Sequence, residues 1–251
     1  MARKLGPLSI LSVVRELRRG TGDQRPIAVA GARELAPILA RELRSGGDAS
    51  AVVEGRVADA AILVWVGPVD EDALRAADRA RTPIVAVTNE QQLPYVLATD
   101  IVHVPAGQGF PVDRIAQAIA HRLGEDATAL AARLPVLRRA VCDELIHSFA
   151  RKNALISAAV FVPGVDMPVL TLNQIRLVLR IAIAHGQDLD GQRAVELASV
   201  VGFGYGLRTA ARELLDFVPI AGWILKGAIA YTGTKAIGEA AMRYFEARTA
   251  A

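Results

Sequence analysis

Apolar residues follow two rhythms along this chain, and the change from one to the other falls near residue 124. Before it, short continuous apolar runs alternate with stretches of helical spacing. Ile27 to Ala30, Ala51 to Val53, Ala60 to Val66, Pro83 to Val87 and Ile101 to Val104 have the length of strands. Between them, Leu35, Ile38, Leu39 and Leu43 recur at helical spacing until Gly46-Gly47 stops the pattern. Asp70 to Arg81 reads as a second helix after the Pro68 turn, and Val112 to Leu123 as a third, with Ile115, Ile119 and Leu123 on one face. Strands that are apolar throughout and separated by helices belong in a parallel sheet covered on both sides. Residues 26–123 are thus expected to form an α/β three-layer domain with a mostly parallel sheet.

Residues 124–251 keep only the helical rhythm, which predicts an all-α helical domain. Leu130, Leu134, Leu137, Val141, Leu145 and Ile146 mark one long amphipathic helix, with Pro135 either kinking it or opening a second one. Asp166-Met167-Pro168 has the chemistry of a helix start, the Asp carboxylate meeting free N–H groups and Pro taking a first-turn position. That helix runs through Leu172, Ile175, Leu179 and Ala182 to about His185 and stops at Gly186. Its polar stripe of Asn173, Arg176 and Arg180 is narrow, so the helix is expected to be nearly buried or half in lipid. Two more helices are expected at Asp190 to Val201 and Leu207 to Phe217, the second with Arg212 and Asp216 one turn apart as a pair. A last helix, from about Ala221 to Ala247, carries Gly222, Gly227, Gly233 and Gly238. Each costs about 1 kcal/mol in helix propensity, so the series points to close backbone approach, as at membrane helix interfaces.

The 251 residues suffice for two modest domains. With 22% charged residues and a mean hydropathy of +0.31, the chain is apolar yet lacks the long uncharged blocks of a polytopic membrane protein. Asn153 to Val165 is the longest stretch without Asp, Glu, Lys or Arg. It is shorter than the roughly 20 residues of a spanning helix and is cut by Pro163-Gly164. Asp216 and Lys226 likewise bracket the Pro219 break too tightly for a conventional pair of spans.

Net charge is +3, from 29 Lys and Arg against 26 Asp and Glu, and no basic tract concentrates it, which argues against a nucleic-acid partner. Arg15, Arg18, Arg19 and Arg25 make residues 1–25 a basic amphipathic segment, solvated or lipid-facing. Arg15 and Glu16 interrupt its apolar run before a signal core forms, so the expected location is the cytoplasm or the cytoplasmic face of the cell membrane. Cys142 is alone, and the four scattered histidines, His147 and His185 among them, offer no ligand cluster. No metal site, cofactor or catalytic group is expected.

The segment after the first strand carries the most chemical information. Ala30-Gly31-Ala32-Arg33-Glu34-Leu35-Ala36-Pro37 stands where a nucleotide-binding α/β domain has its phosphate loop. Such a loop needs Gly at both ends of a tight turn, then Lys and Ser or Thr for phosphates and Mg²⁺; here those two positions are Ala36 and Pro37. Val87-Thr88-Asn89-Glu90-Gln91-Gln92 resembles the Asn-Lys-x-Asp guanine-specificity segment of small GTPases, and the order of elements is similar to a GTPase domain. Only Asn89 of that motif is kept. Glu90 stands for the Lys, and Gln92 cannot accept two guanine N–H bonds as a carboxylate does. Val57-Ala58-Asp59-Ala60 lacks the Gly of the switch motif. The resemblance therefore implies a degenerate GTPase-like domain; on the residues alone, Asn89 caps the strand end or the following turn.

Further along, Val160-Phe161-Val162-Pro163-Gly164-Val165-Asp166-Met167-Pro168 with Leu172-Asn173-Gln174 form one block. Phe217-Val218-Pro219-Ile220-Ala221-Gly222-Trp223 with the segment from Lys235 to Phe245 form another. Together they resemble the DUF697 family of bacterial proteins over about residues 140 to 247. The resemblance implies a membrane-associated helical domain of no established reaction beside a domain of GTPase type. Asp166, Arg176, Arg180, Arg212, Asp216, Trp223, Lys226, Gly227 and Gly238 are the candidate interaction or structural sites. The expected function is that of a non-catalytic, membrane-associated adaptor or scaffold whose GTPase-like domain binds no nucleotide. Its partners would be a lipid surface, another protein or a second copy. Two other classes stay open: a soluble homo-oligomeric assembly protein, and an enzyme with an interdomain site that sets Asp59, Asp100 or Asp166 beside an arginine.

Overall fold

The runs of apolar residues in the first half become five strands: β1 (Ile27–Gly31), β2 (Val52–Glu54), β3 (Ile62–Val66), β4 (Ile84–Val87) and β5 (Ile101–Val102). The computed structural model describes residues 12–17, 22–55, 58–104, 107–159, 167–187 and 222–249. Asp166, Arg212, Asp216 and the two helices expected between 190 and 217 lie outside the described residues. The chain divides into two units, residues 22–144 and residues 1–21 with 145–251.

In the first unit all strand neighbours pair in parallel, in the order β2-β1-β3-β4-β5. Helix α1 (Leu35–Arg44) links β1 to β2, α2 (Glu71–Arg79) links β3 to β4, and α3 (Val112–Leu123) follows β5. Every residue of β3 and β4 is buried, as a sheet covered on both faces requires. Alternation sorts their side chains. Ala28, Ala30, Leu63, Trp65, Ile84, Ala86 and Ile101 share a core with Ala73, Leu74 and Ala77 of α2. The intervening Ile27, Val29, Ile62, Val64, Val85 and Val87 are buried as well, and α1 and α3, which also pack on the sheet, bury Leu39, Leu43, Ile115 and Ile119 completely. The start of α2 follows from local chemistry: the Asp70 carboxylate accepts the Ala73 N–H at 3.0 Å, and Glu71 and Asp72 place negative charge in the first turn.

Of the two alternatives for the stretch from Leu130 onward, Pro135 opens a second helix: α4 (Ala127–Arg133) is followed by α5 (Pro135–Ala159). Leu134 between them is extended, with φ −122° and ψ 99°, because the ring of a following proline crowds the helical conformation. Pro135 then takes the first helical position, where its missing N–H would have had no partner. Helix α4 and the start of α5 belong with the α/β unit, the division falling between Glu144 and Leu145. Arg133 ties them to it: its guanidinium donates to Asp48 Oδ2 at 2.9 Å, to the Gln24 carbonyl at 2.9 Å and to Ser50 Oγ at 3.0 Å.

The second unit is helical. Helix α6 (Met167–Ala184) packs along α7 (Gly222–Thr249). Gly186, at φ +74°, ends α6 with two bonds, Gly186 N–H to the Ile183 carbonyl and Gln187 N–H to the Ala182 carbonyl, which satisfies carbonyls the last turn would leave free. Leu177, Leu179, Ile181, Ala182 and Ala184 are wholly inaccessible, so of the two alternatives for this helix the chain itself supplies the cover. Residues 12–17 form a helical stretch that buries Val13, Val14 and Leu17 and leaves Arg15 and Glu16 exposed. Among the described residues no helix is long and apolar enough to cross a membrane.

The glycines of α7 are not equivalent. A Cβ on Gly238 would lie 2.5 Å from Ile146 Cγ1 and 3.2 Å from Leu177 Cδ2, and one on Gly227 would lie 3.3 Å from the Ala154 carbonyl oxygen. A Cβ on Gly233 would meet nothing within 4 Å, so close approach accounts for the first two and not for Gly233. Urea unfolding checks this contrast. Gly238→Leu is expected to cost about 1–3 kcal/mol or more through overpacking, and Gly233→Ala to add about 1 kcal/mol of helix propensity. A neutral G238L would show that the helices do not approach here.

The Asp48 staple gives a pH signature. Hydrogen bonds from the Ser50 hydroxyl and backbone N–H, then from the Arg133 guanidinium, hold the Asp48 carboxyl at about 2 against an ordinary 3.8. A carboxyl whose native pKa is depressed contributes stability that is full above its unfolded value and is lost as pH falls through the native one. NMR titration is expected to place the Asp48 midpoint near 2 in the wild type and closer to the ordinary carboxylate value in a Ser50→Ala, Arg133→Ala variant. Asp48→Asn should lose less stability than wild type across that acid window.

Candidate functional site

The winding of the sheet reverses between β1 and β3, and open parallel sheets bind ligands outside the carboxyl ends of their strands at such a reversal. The segments singled out in the sequence meet at this edge. Only Ala32, Arg33 and Glu34 separate β1 from α1. The Ala32 N–H donates to the Val66 carbonyl at 2.8 Å, and the Leu35 and Ala36 N–H groups both return to the Ala32 carbonyl, at 3.0 and 2.9 Å. Pro37 has no N–H to offer. A phosphate loop works by turning successive amides toward a common centre, and here the Ala32, Leu35 and Ala36 amides are spent on the protein.

The glycines of this edge serve packing. Gly31, at φ +125°, lies so close to β3 that a Cβ would overlap the Val66 carbonyl oxygen, and a Cβ on Gly67, at φ +99°, would come within 2.9 Å of Ala32 Cβ. Both positions demand the left-handed backbone and the missing side chain together.

At the end of β4, Thr88 is buried and its hydroxyl accepts the Glu90 N–H at 3.3 Å. Glu90 reaches back, its Oε1 accepting the Val69 N–H at 3.3 Å. Asn89 is exposed, so the turn is held by Thr88 instead of the expected Asn89 cap. A cleft of ≈ 540 Å³ opens beside it, lined by Leu35, Ile38, Val66, Val87, Val104 and Phe110 together with Glu42 and Glu90. A second, of ≈ 360 Å³, lies over the ends of β1 and β2 near Arg33, Glu54 and Asp70. Its acids are occupied: Glu54 pairs with Arg44 at 3.3 Å, and Asp70 caps α2. Among the described residues neither cleft is lined by Asp59 or Asp100. Asp100 is 1% exposed beside Arg122 Nε at 3.4 Å, at the amino end of β5 and away from the carboxyl edge.

In the helical unit Arg176 donates to Glu16 Oε2 at 2.9 Å, which joins α6 to residues 12–17, and Arg180 is half-buried one turn on. Lys226 is half-buried, and its carbonyl accepts the Ser157 hydroxyl at 3.4 Å. Trp223 lies in the first turn of α7. Tyr244 is exposed, packed edge-on to Phe245 and accepting from Arg248 at 2.7 Å. His185 stacks on Phe245 and His147 Nδ1 lies 3.2 Å from the Tyr231 hydroxyl, and no group of His, Cys, Asp and Glu among the described residues is placed to hold a metal.

A buried polar layer between α5, α6 and α7 was not foreseen. Thr234 Oγ1 accepts Asn153 Nδ2 at 2.9 Å and Gln174 Nε2 at 3.1 Å, while Asn173 Nδ2 donates to Asn153 Oδ1 at 2.9 Å. The signal was present in spacing: Thr234 shares a helix face with Gly227 and Gly238. In comparisons with known proteins, no family model matches the chain, and no curated protein and no solved structure matches it either.

Proposed function

We propose that this protein is a non-catalytic adaptor or scaffold. A GTPase-like α/β domain that binds no nucleotide presents protein surface, and a DUF697-like helical unit attaches it to a partner protein or peripherally to the cytoplasmic face of the membrane. The observation that carries this is the loop after β1, where the Ala32 amide is bonded to β3, the Leu35 and Ala36 amides to the Ala32 carbonyl, and the helix begins Leu35-Ala36-Pro37. The Ala32, Leu35 and Ala36 amides are already bonded, and Ala36 and Pro37 offer a triphosphate neither the Lys nor the Ser of a phosphate loop. The membrane part of the proposal rests on the DUF697 resemblance, and it is peripheral because no described helix is long and apolar enough to cross.

Calorimetry on the full chain with GTP, GDP and ATP in the presence of Mg²⁺ should show no binding; micromolar affinity for any of the three would overturn the proposal. Fractionation of native cells followed by high-salt and carbonate extraction should release the protein into the supernatant. Retention until detergent is added would sink peripheral attachment.

A further inference from the structure

The larger cleft is the portion of the strand edge that the loop after β1 leaves open, and its ≈ 540 Å³ falls in the ~300–1,000 Å³ range of small-molecule sites. Its walls are mostly apolar. Leu35 and Ile38 are 39% and 38% exposed on a helix that buries Leu39 and Leu43 completely, so α1 turns an uncovered apolar edge toward this space. The charge on the lining has one sign. Glu42 and Glu90 belong to it, and none of the lining residues is Lys, Arg or His. Neither carboxylate has an ion-pair partner among the described residues, and Glu90 accepts only the Val69 N–H.

We propose that this cleft binds an apolar organic amine, with the hydrocarbon body against Leu35, Ile38, Val87 and Phe110 and the ammonium toward Glu42 and Glu90. The cleft's acidic lining selects against the anionic phosphates of a nucleotide, so this goes beyond the adaptor reading and is independent of which partner the adaptor holds. Burial of the body supplies the affinity. The half-exposed carboxylates supply the choice of charge, which for partly solvated pairs amounts to about fivefold between an amine and an acid of the same shape.

The test is amide NMR on the full chain, titrated in turn with phenylbutylamine, phenylbutanol and phenylbutyrate. The amine is expected to shift the Leu35, Ile38, Thr88 and Glu90 amides saturably, about fivefold tighter than the acid, with the alcohol between them and the spread narrowing in high salt. In a Glu42→Gln, Glu90→Gln variant the alcohol should bind as before and the three affinities should converge. Equal affinities in the wild type, a preference for the acid, or shifts that map elsewhere would overturn the proposal while leaving the adaptor reading intact. Shifts of the same amides by GTP or GDP would instead overturn the adaptor reading.

Discussion

The hydrogen bond from the Ala32 N–H to the Val66 carbonyl fixes the character of the α/β unit. It extends the β1–β3 pairing one residue past the Gly31 to Val66 register, so the chain must enter α1 within the next three residues. A phosphate loop does the opposite, leaving the strand and returning with its amides exposed. To open such a loop here would strand the Ala32 amide at a cost of about 1–3 kcal/mol if it stayed buried. It would also undo the contact of Gly31 with the Val66 backbone and of Gly67 with Ala32. The following strand ends repeat the device, Gly67 N–H bonding the Val87 carbonyl and Thr88 N–H the Val102 carbonyl. The edge where a ligand's phosphates would sit is thereby committed to holding the sheet together.

The helical unit solves a different problem. Polar and apolar residues are distributed around α7 without one dominant apolar side, so hydrophobic patterning alone does not fix its rotation. Gly227, Gly238 and Thr234 fix it. A turn of about 100°, one residue of helix, would move Gly238 off Ile146 and leave the Asn153 and Gln174 amides without their shared acceptor. Each unpaired buried donor costs about 1–3 kcal/mol, a large fraction of the roughly 5–15 kcal/mol margin of stability in a domain. A buried polar layer of this kind specifies register more than it adds stability.

The α/β domain was legible because strands buried on both faces leave continuous apolar runs that a half-exposed sheet would not. The helix starts at Asp70 and Pro135 and the stop at Gly186 were legible in the same way, each from one residue with one stereochemical demand. The polar layer was not, since Asn153, Gln174 and Thr234 are single residues far apart in sequence, and only the packed helices show that they face one another. The cleft was hidden for the opposite reason. Leu35 and Ile38 belong to the same apolar spacing as Leu39 and Leu43, and spacing defines a stripe without saying how much of its width the sheet covers. The turn after β4 was misassigned by one residue because Asn is the commoner turn former, yet the buried hydroxyl of Thr88 is the group within reach of the Glu90 amide.

Charge at the carboxyl edge bears on the proposed loss of nucleotide chemistry beyond the two substituted loop positions. The amino end of α1 is its positive end, and in a phosphate-binding fold that end is left for the ligand. Here Glu34 occupies the cap position with Arg33 beside it, so the chain places a carboxylate and a guanidinium of its own there. Across the edge Glu42 and Glu90 add carboxylates to the lining of the larger cleft, and no lining cation offsets them. Placing Lys at 36 and Ser at 37 would restore two side chains, but the loop would keep its length, the Ala32 amide its bond to Val66, and the larger cleft its negative sign. The loop geometry and the sign of the larger cleft thus support the proposed reading from separate observations, and that sign also underlies the proposal that the apolar cleft takes a cation.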